Sequence, residues 1–485
     1  MNKVLDKDSE QNIVKKILKL YNSKDYDQAK KNASELLKSY PNSSALLNIL
    51  GVIFNNQGDY NTAIKYYISA IKIDPNNPEI YNNFGSTLCK RGDFKEGLEK
   101  YEKAAKIKPD FVLAHQNAGR ATIFLKKYES AIKHFKNAVK LQPNNVNFVY
   151  DLAYSYFKVG KLDESLKSCD QALALDPYMV EAISTKNKIL AKLVPSWHVP
   201  MLNDDDRNNF YLSALKSNIK SESTILEIGT GSGLLSIVAA NLGARKINTC
   251  ESNSELVKMA TQVISRNNLR DKINIIHKKS NDIKVGLDIE KPADILLSEI
   301  FSSEFLGEGV LSTIEDAKKR LISKNSRIIP EFGSIMISLF GGDEIGKYIY
   351  TENFENINLK NFNSIIPKKH YLYRQDLNIL FMSKALEVFH FDFVQQNSFP
   401  KESKKVSIEV TQNGKCYGII QWIRLGIKNG ISYENNFSKL KKPSGWQQVL
   451  YLFDGPIELK VGQKVSVVCK HDRNTPWFFL DKIDD

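Results

Sequence analysis

Along the first two fifths of the chain, apolar and small positions return at a fixed spacing. Pro41, Pro75, Pro109, Pro143 and Pro177 lie 34 residues apart. Other marks keep the same register: Gly51, Gly85 and Gly119, followed by Ala153, sit where two helices must approach closely. Tyr26, Tyr60, Phe94, Tyr128 and Leu162 follow the turn between the helices. Ala29, Ala63 and Ala131 fill a small slot in the second helix, with Gly97 and Ser165 as the other small residues there. One helical hairpin cannot bury its apolar face alone, so five units in register predict a stacked α-solenoid. "VEAISTKNKILAKL", from Val180, predicts a closing helix. Beyond it the period stops. "STILEIGTGSGLLSIVAANLGARKINTCESN" reads as strand, glycine-rich turn, helix, strand, and "KINIIHKK" and "ADILLSE" predict two further strands. Apolar strands alternating with helices predict an α/β layer with a parallel sheet.

The 34-residue period is that of the tetratricopeptide repeat. Such an array presents a concave groove for a protein or peptide, or serves as a scaffold or dimer surface. Composition adds little: 42% of the 485 residues are hydrophobic and 25% charged, as in ordinary globular chains. No apolar run approaches the roughly 18 residues that span a bilayer, and the N-terminus has no apolar core of a signal peptide, so no membrane partner is expected. The five cysteines are far apart and show no zinc spacing, so no metal is expected; with their odd number they predict a reducing, cytoplasmic setting, or a nuclear one in a eukaryote. The net charge of +13 is spread along the chain, and a nucleic-acid partner is not expected from it.

Gly229, Gly231 and Gly233 alone fit many nucleotide folds. Glu227 at the end of the first strand and Glu251 at the end of the second narrow the choice. An acid at the second position can accept hydrogen bonds from both ribose hydroxyls, as it would also in a dinucleotide site. "ExGxGxG" followed by an acid about 20 residues later resembles a class I S-adenosylmethionine methyltransferase. After the third strand, Ser280, Asn281 or Asp282 could meet the adenine, and each equally fits a solvated turn. In open α/β sheets ligands lie at the carboxyl ends of strands, which places Glu299, ending the fourth strand, at the donor crevice.

A guanidinium is a poor nucleophile while its charge is delocalised. Two fixed carboxylates can hold it bidentately and draw that charge away from one nitrogen. "SEIFSSEFLGEG" resembles the double-glutamate loop of the protein arginine methyltransferases, in which the two acids are nine residues apart. Glu299 and Glu308 have that spacing, and Glu304 does not; Glu304 reads as a loop or interface acid. "VPSWHVPMLNDDDRNNFYLSAL" resembles the family's N-terminal helix that folds over the donor. The resemblance implies that His198 and Arg207 contact the donor, Arg207 at its carboxylate, and that Met201 lies beside the substrate arginine. His198 is equally compatible with a helix-capping or packing role. The family's third active-site loop, normally Thr-His-Trp, reads Ser444-Gly445-Trp446, so Trp446 fits as a substrate contact and the histidine is absent.

The resemblance runs from about Val194 to the C-terminus and is nearest to the subfamily, usually numbered nine, that carries tetratricopeptide repeats ahead of its catalytic modules; this chain has room for one. It implies a multidomain α plus α/β plus β fold: repeats over 10–193, a Rossmann-like S-adenosylmethionine domain over 194–330, and a β-barrel substrate domain over 331–485. An inserted dimerisation arm within 343–397 would support a homodimer or an intramolecular pseudo-dimer. The absence of a bulky residue after Glu308 resembles the symmetric-dimethylating and monomethylating branches. Two other functions remain open on the residues: methylation of RNA or a small molecule, against which the glutamate pair argues, and a decayed scaffold acting through its repeats.

Overall fold

The computed structural model describes residues 7–23, 25–194, 196–372, 377–436 and 444–484. The chain divides into two compact units, Met1–Lys192 and Leu193–Asp485. No helix among the described residues is long and apolar enough to cross a membrane.

Among the described residues the first unit holds five helical hairpins, and the helix Val180–Leu193 runs to its boundary with the second. The hairpins pair Lys7–Asn22 with Tyr26–Ser39, Ser44–Asn56 with Tyr60–Ile73, Pro78–Arg91 with Phe94–Ile107, Val112–Phe124 with Tyr128–Leu141, and Val146–Lys158 with Leu162–Leu175. Short polar side chains start several of them: Asp25 and Asp59 each accept a hydrogen bond from a backbone N–H three residues on, at 3.1 Å. The small residues do what their register requires. A Cβ added at Gly51 would lie 2.5 Å from the Tyr67 ring, and one at Gly119 would lie 2.6 Å from Phe135. Neighbouring repeats are also linked by amides, Asn83 Nδ2 to Asn48 Oδ1 at 3.1 Å and Asn117 Nδ2 to Asn82 Oδ1 at 3.0 Å.

The second unit opens with the helices His198–Leu202 and Asp205–Asn218. A parallel five-stranded sheet follows: β1 (Thr224–Ile228), β2 (Lys246–Cys250), β3 (Ile273–Ile276), β4 (Ala293–Ser298) and β5 (Ile322–Ile329), in the order β3-β2-β1-β4-β5. Every residue of β1 is buried, as expected of a central strand covered on both faces. The order reverses between β1 and β4, so their carboxyl ends, at Gly229 and Glu299, flank the crevice such a switch creates. β6 (Phe332–Gly341) then begins the antiparallel C-terminal part, pairing with Gly414–Gly426, which pairs in turn with Gln448–Leu459. A second sheet joins Glu402–Glu409, Lys464–His471 and Pro476–Asp484. One apolar core runs from the parallel sheet into both antiparallel sheets, through Phe301, Phe305, Phe391 and Phe393. Between β6 and Lys369–Leu372 the chain makes an excursion: the helix Asp343–Ile349, a two-stranded ribbon and a 3-10 turn over Lys360–Ile365. Ile357, Leu359, Phe362 and Ile365 are exposed on it.

Candidate active site

The glycine turn after β1 carries Gly229, Gly231 and Gly233 at φ of +87°, +53° and +84°. A Cβ at Gly229 would stand 2.7 Å from Ile300 Cγ2, whereas one at Gly231 would meet nothing within 4 Å, so the turn is open above its middle glycine. Glu251 closes one side. Its carboxylate accepts from Gly231 N at 3.2 Å and from Asn253 N at 2.9 Å and is half-buried, leaving lone pairs for further donors. Glu227 is placed differently. It is buried beneath the turn, where its carboxyl accepts from the Ser236 hydroxyl and from Thr249 Oγ1 at 2.8 Å. Burial pushes its pKa up to about 7 despite those bonds. Glu227 therefore ties β1 to β2 and to the following helix.

After β3, Ser280 is buried and Asn281 exposed in a short 3-10 turn. Arg320 holds that turn by donating to the Asn281 carbonyl at 3.2 Å and the Ile283 carbonyl at 2.8 Å.

The centre of the site is an ion pair between Arg207 and Glu299, Nη2 to Oε2 at 2.8 Å, with both side chains buried. Burial works to lower the Arg207 pKa, but Glu299, with Tyr211 and Asp204, outweighs it and the guanidinium is held above its ordinary value. Burial raises the pKa of Glu299, against Arg207. Asp204 caps the helix that carries Arg207, accepting from Arg207 N at 2.9 Å. Tyr211, on the same helix, donates to the Ser298 carbonyl at 3.0 Å and so fixes the helix to the end of β4. Two polar atoms are buried there without a hydrogen-bond partner among the described residues, Arg207 Nε and Ser298 Oγ. Such orphaned groups carry a cost unless something else satisfies them.

Glu308 lies at the other end of the loop, exposed at its mouth, with φ of +61°. Packing around its carboxyl raises the pKa; His198 pulls it down and Glu251 pushes it further up. Glu308 also raises the pKa of Glu299. These mutual effects couple Glu308 electrostatically to Glu299, Glu251 and His198. The His198 ring stacks on Trp197 with centroids 4.0 Å apart. The loop is anchored between the two acids: Phe305 is fully buried at φ of +74°, and Ser302 Oγ accepts from Gly307 N at 3.0 Å. Glu304 faces away to the antiparallel C-terminal part, accepting from Lys369 Nζ at 2.8 Å and from the Tyr371 hydroxyl. Met201 is buried against Gly445, and Trp446 donates its indole N–H to the Phe301 carbonyl at 2.7 Å. The Trp446 ring also lies 5.8 Å from the Arg207 guanidinium carbon. Asp204 and Ser444 lie inside the two motifs and meet at Tyr433, which no motif marks: the Tyr433 hydroxyl donates to Asp204 Oδ2 at 2.8 Å and lies 2.7 Å from Ser444 Oγ.

Comparison with known proteins identifies relatives of both units. Residues 208–329 match the family described as Ribosomal protein L11 methyltransferase. Residues 51–90 and 125–160, 146–178, and 19–43 match tetratricopeptide-repeat families. An Arginine N(omega)-methyltransferase of Streptomyces achromogenes subsp. streptozoticus is 30% identical over 61% of this chain and 80% of its own. The Protein arginine N-methyltransferase 7 of Oryza sativa subsp. indica is 28% identical over 60% of this chain, which spans only 46% of that protein. Among solved structures, the Trypanosoma brucei PRMT1 enzyme-prozyme heterotetrameric complex with AdoHcy shares the fold, at a TM-score of 0.50 and 18% identity over 60% of this chain and 100% of that one. The chain belongs to the arginine N-methyltransferase family, with a tetratricopeptide array ahead of its catalytic unit.

Proposed function

We propose that this protein is an S-adenosylmethionine-dependent protein arginine N-methyltransferase whose repeats recruit the protein substrate. The observation that carries the reading is the buried Arg207–Glu299 pair beside Glu308 at the end of β4. The residues fit the donor. Glu251 has lone pairs for the ribose hydroxyls, Gly231 leaves room for close approach, and the orphaned Arg207 Nε suits a carboxylate. Ser280 and Asn281 would meet the adenine edge, His198 would close over the donor, and Gly229 and Gly233 shape the turn. Glu227 supports that turn from below. When bound, S-adenosylmethionine supplies an electrophilic methyl group.

The chain's own residues do the rest. Arg207 holds Oε2 of Glu299, which leaves Oε1 to accept from the substrate guanidinium. Glu308 accepts from a second N–H, so the two acids fix the guanidinium plane and localise its charge away from the reacting nitrogen. The raised pKa of Glu308 suits it to take the proton that the methylated nitrogen releases. Met201 and Trp446 wall the substrate side. The exposed apolar residues of the 343–366 excursion support assembly with a second copy.

Incubation with labelled S-adenosylmethionine and an arginine-rich protein, with free L-arginine as a second arm, tests the reading by mass spectrometry of the product. Label on guanidino nitrogens of the protein is expected. Label on free arginine alone, on RNA or on other side chains, or no transfer, contradicts it.

A further inference from the structure

The third active-site loop has Gly445 in place of a histidine side chain, yet the loop is tightly held. A Cβ at Gly445 would sit 2.5 Å from the Met201 Cα and 2.7 Å from its N, so the missing side chain is what lets the His198–Leu202 helix seat on the loop. The backbone N–H of Gly445 donates to Asp204 Oδ2 at 3.3 Å. The same oxygen accepts the Tyr433 hydroxyl at 2.8 Å, and Tyr433 lies 2.7 Å from Ser444 Oγ. Ser444 Oγ in turn accepts from Trp446 N at 3.1 Å. These bonds form one chain with every donor pointing toward a carboxylate: Trp446 N–H, Ser444 O–H, Tyr433 O–H, Asp204. The far oxygen of Asp204 caps the helix of Arg207 at 2.9 Å, and the indole of Trp446 reaches Phe301 in the loop that carries Glu299 and Glu308. Tyr433, Asp204 and Ser444 are all buried.

We propose that Tyr433 is a positioning residue for this site, locking the Arg207 helix to the third loop through Asp204 and so supplying the anchor that a loop with Gly445 has no side chain to give. The assignment rests on the arginine-methyltransferase reading of Arg207 and Glu299. Tyr433 suits the task because burial, aided by the Asp204 carboxylate, raises its pKa far above the ordinary tyrosine value and keeps it a donor. Polar groups in a buried chain of this kind are costly to leave unpaired, so removing one member loosens the rest. Among the described residues no hydrogen bond joins Tyr433 to Glu299, Glu308, Glu251 or the glycine turn, and Tyr433 acts through Asp204 and Ser444.

The test uses the full chain carrying Tyr433→Phe and, separately, Gly445→Ala. The first removes the central hydroxyl; the second keeps every hydrogen-bonding group and pushes on Met201. Hydrogen exchange of the backbone amides is followed together with KM for S-adenosylmethionine and kcat. In both variants exchange within residues 198–208 should quicken roughly ten- to a hundredfold, with the repeats unchanged. Donor KM should rise about tenfold while kcat at saturating donor stays within about threefold, because Glu299 and Glu308 are untouched. Unchanged exchange in 198–208, or a fall in kcat at unchanged donor KM, overturns the assignment. Exchange needs no turnover: a wild-type chain that transfers no methyl group would sink the proposed reaction, and the exchange result would still decide the anchor.

Discussion

The repeat array and the catalytic unit are held together in opposite ways. In the array the side-chain links between repeats reach only to the next hairpin, 35 residues from Asn48 to Asn83, 31 from Arg120 to Asp151 and 30 from Asn61 to Arg91, and each hairpin packs on its neighbours. In the catalytic unit the decisive bonds join distant stretches: Trp446 to Phe301 across 145 residues, Tyr433 to Asp204 across 229 and Gly445 to Asp204 across 241. Local construction makes an array that tolerates damage one repeat at a time. Long-range construction makes a site that one residue can disorder. The four tryptophans, Trp197, Trp422, Trp446 and Trp477, all lie in the catalytic unit, so their fluorescence reports that unit while helical circular dichroism is weighted toward the repeats.

The largest break comes from Arg207→Ala. It leaves Glu299 as an uncompensated buried charge, and removing one partner of a buried pair costs about 3–5 kcal/mol. The tryptophan-detected unfolding midpoint should fall sharply and the helical transition of the array should hold. A shift in both together would show that the two units are not energetically separate.

Glu227→Gln should act through pH. The folded carboxyl titrates near 7 and an unfolded one near 4.5, so between those values the folded state holds more protons. Its contribution to stability is fully present below about 4.5 and is lost as pH rises through 7. Gln at that position removes this slope, and the variant should gain on the wild type by on the order of 3 kcal/mol between pH 4.5 and 8. Parallel stability curves for the two proteins over that range would count against a buried, protonatable Glu227.

Gly51→Val is the counterpart in the array. Its Cβ would meet the Tyr67 ring at 2.5 Å, and such overpacking costs typically about 1–3 kcal/mol. The helical transition should drop and tryptophan fluorescence should be unaffected.

The same contrast explains what could be read from residues alone. The repeats were legible almost to the helix end, because prolines, glycines and alanines at a 34-residue period each answer a local steric need. The glycine turn and the acids ending β1, β2 and β4 were legible because strand ends and tight turns leave short patterns. Partners across the fold were not. Nothing near Tyr433 in sequence announces Asp204, and the spacing of Glu227 before Gly229 did not reveal that its carboxyl points down to Ser236 and Thr249. The positive φ of Phe305 and Glu308 is equally silent in sequence, since neither is a residue that favours that conformation. Gly445 read as a missing histidine; its contact with Met201 shows a close approach instead.

The central claim, that two of the three loop glutamates grip a guanidinium, is tested most directly within the loop itself. Methyl transfer and S-adenosylmethionine binding are measured side by side for Glu308→Gln and Glu304→Gln. The amide at 308 keeps the shape and loses the charge, so transfer should fall by at least about 2–3 kcal/mol, a hundredfold, with donor affinity largely intact. The amide at 304 breaks only the Lys369 pair, and turnover should stay within a few-fold of wild type. Near-wild-type transfer by Glu308→Gln, or an equal loss in both variants, would contradict the account.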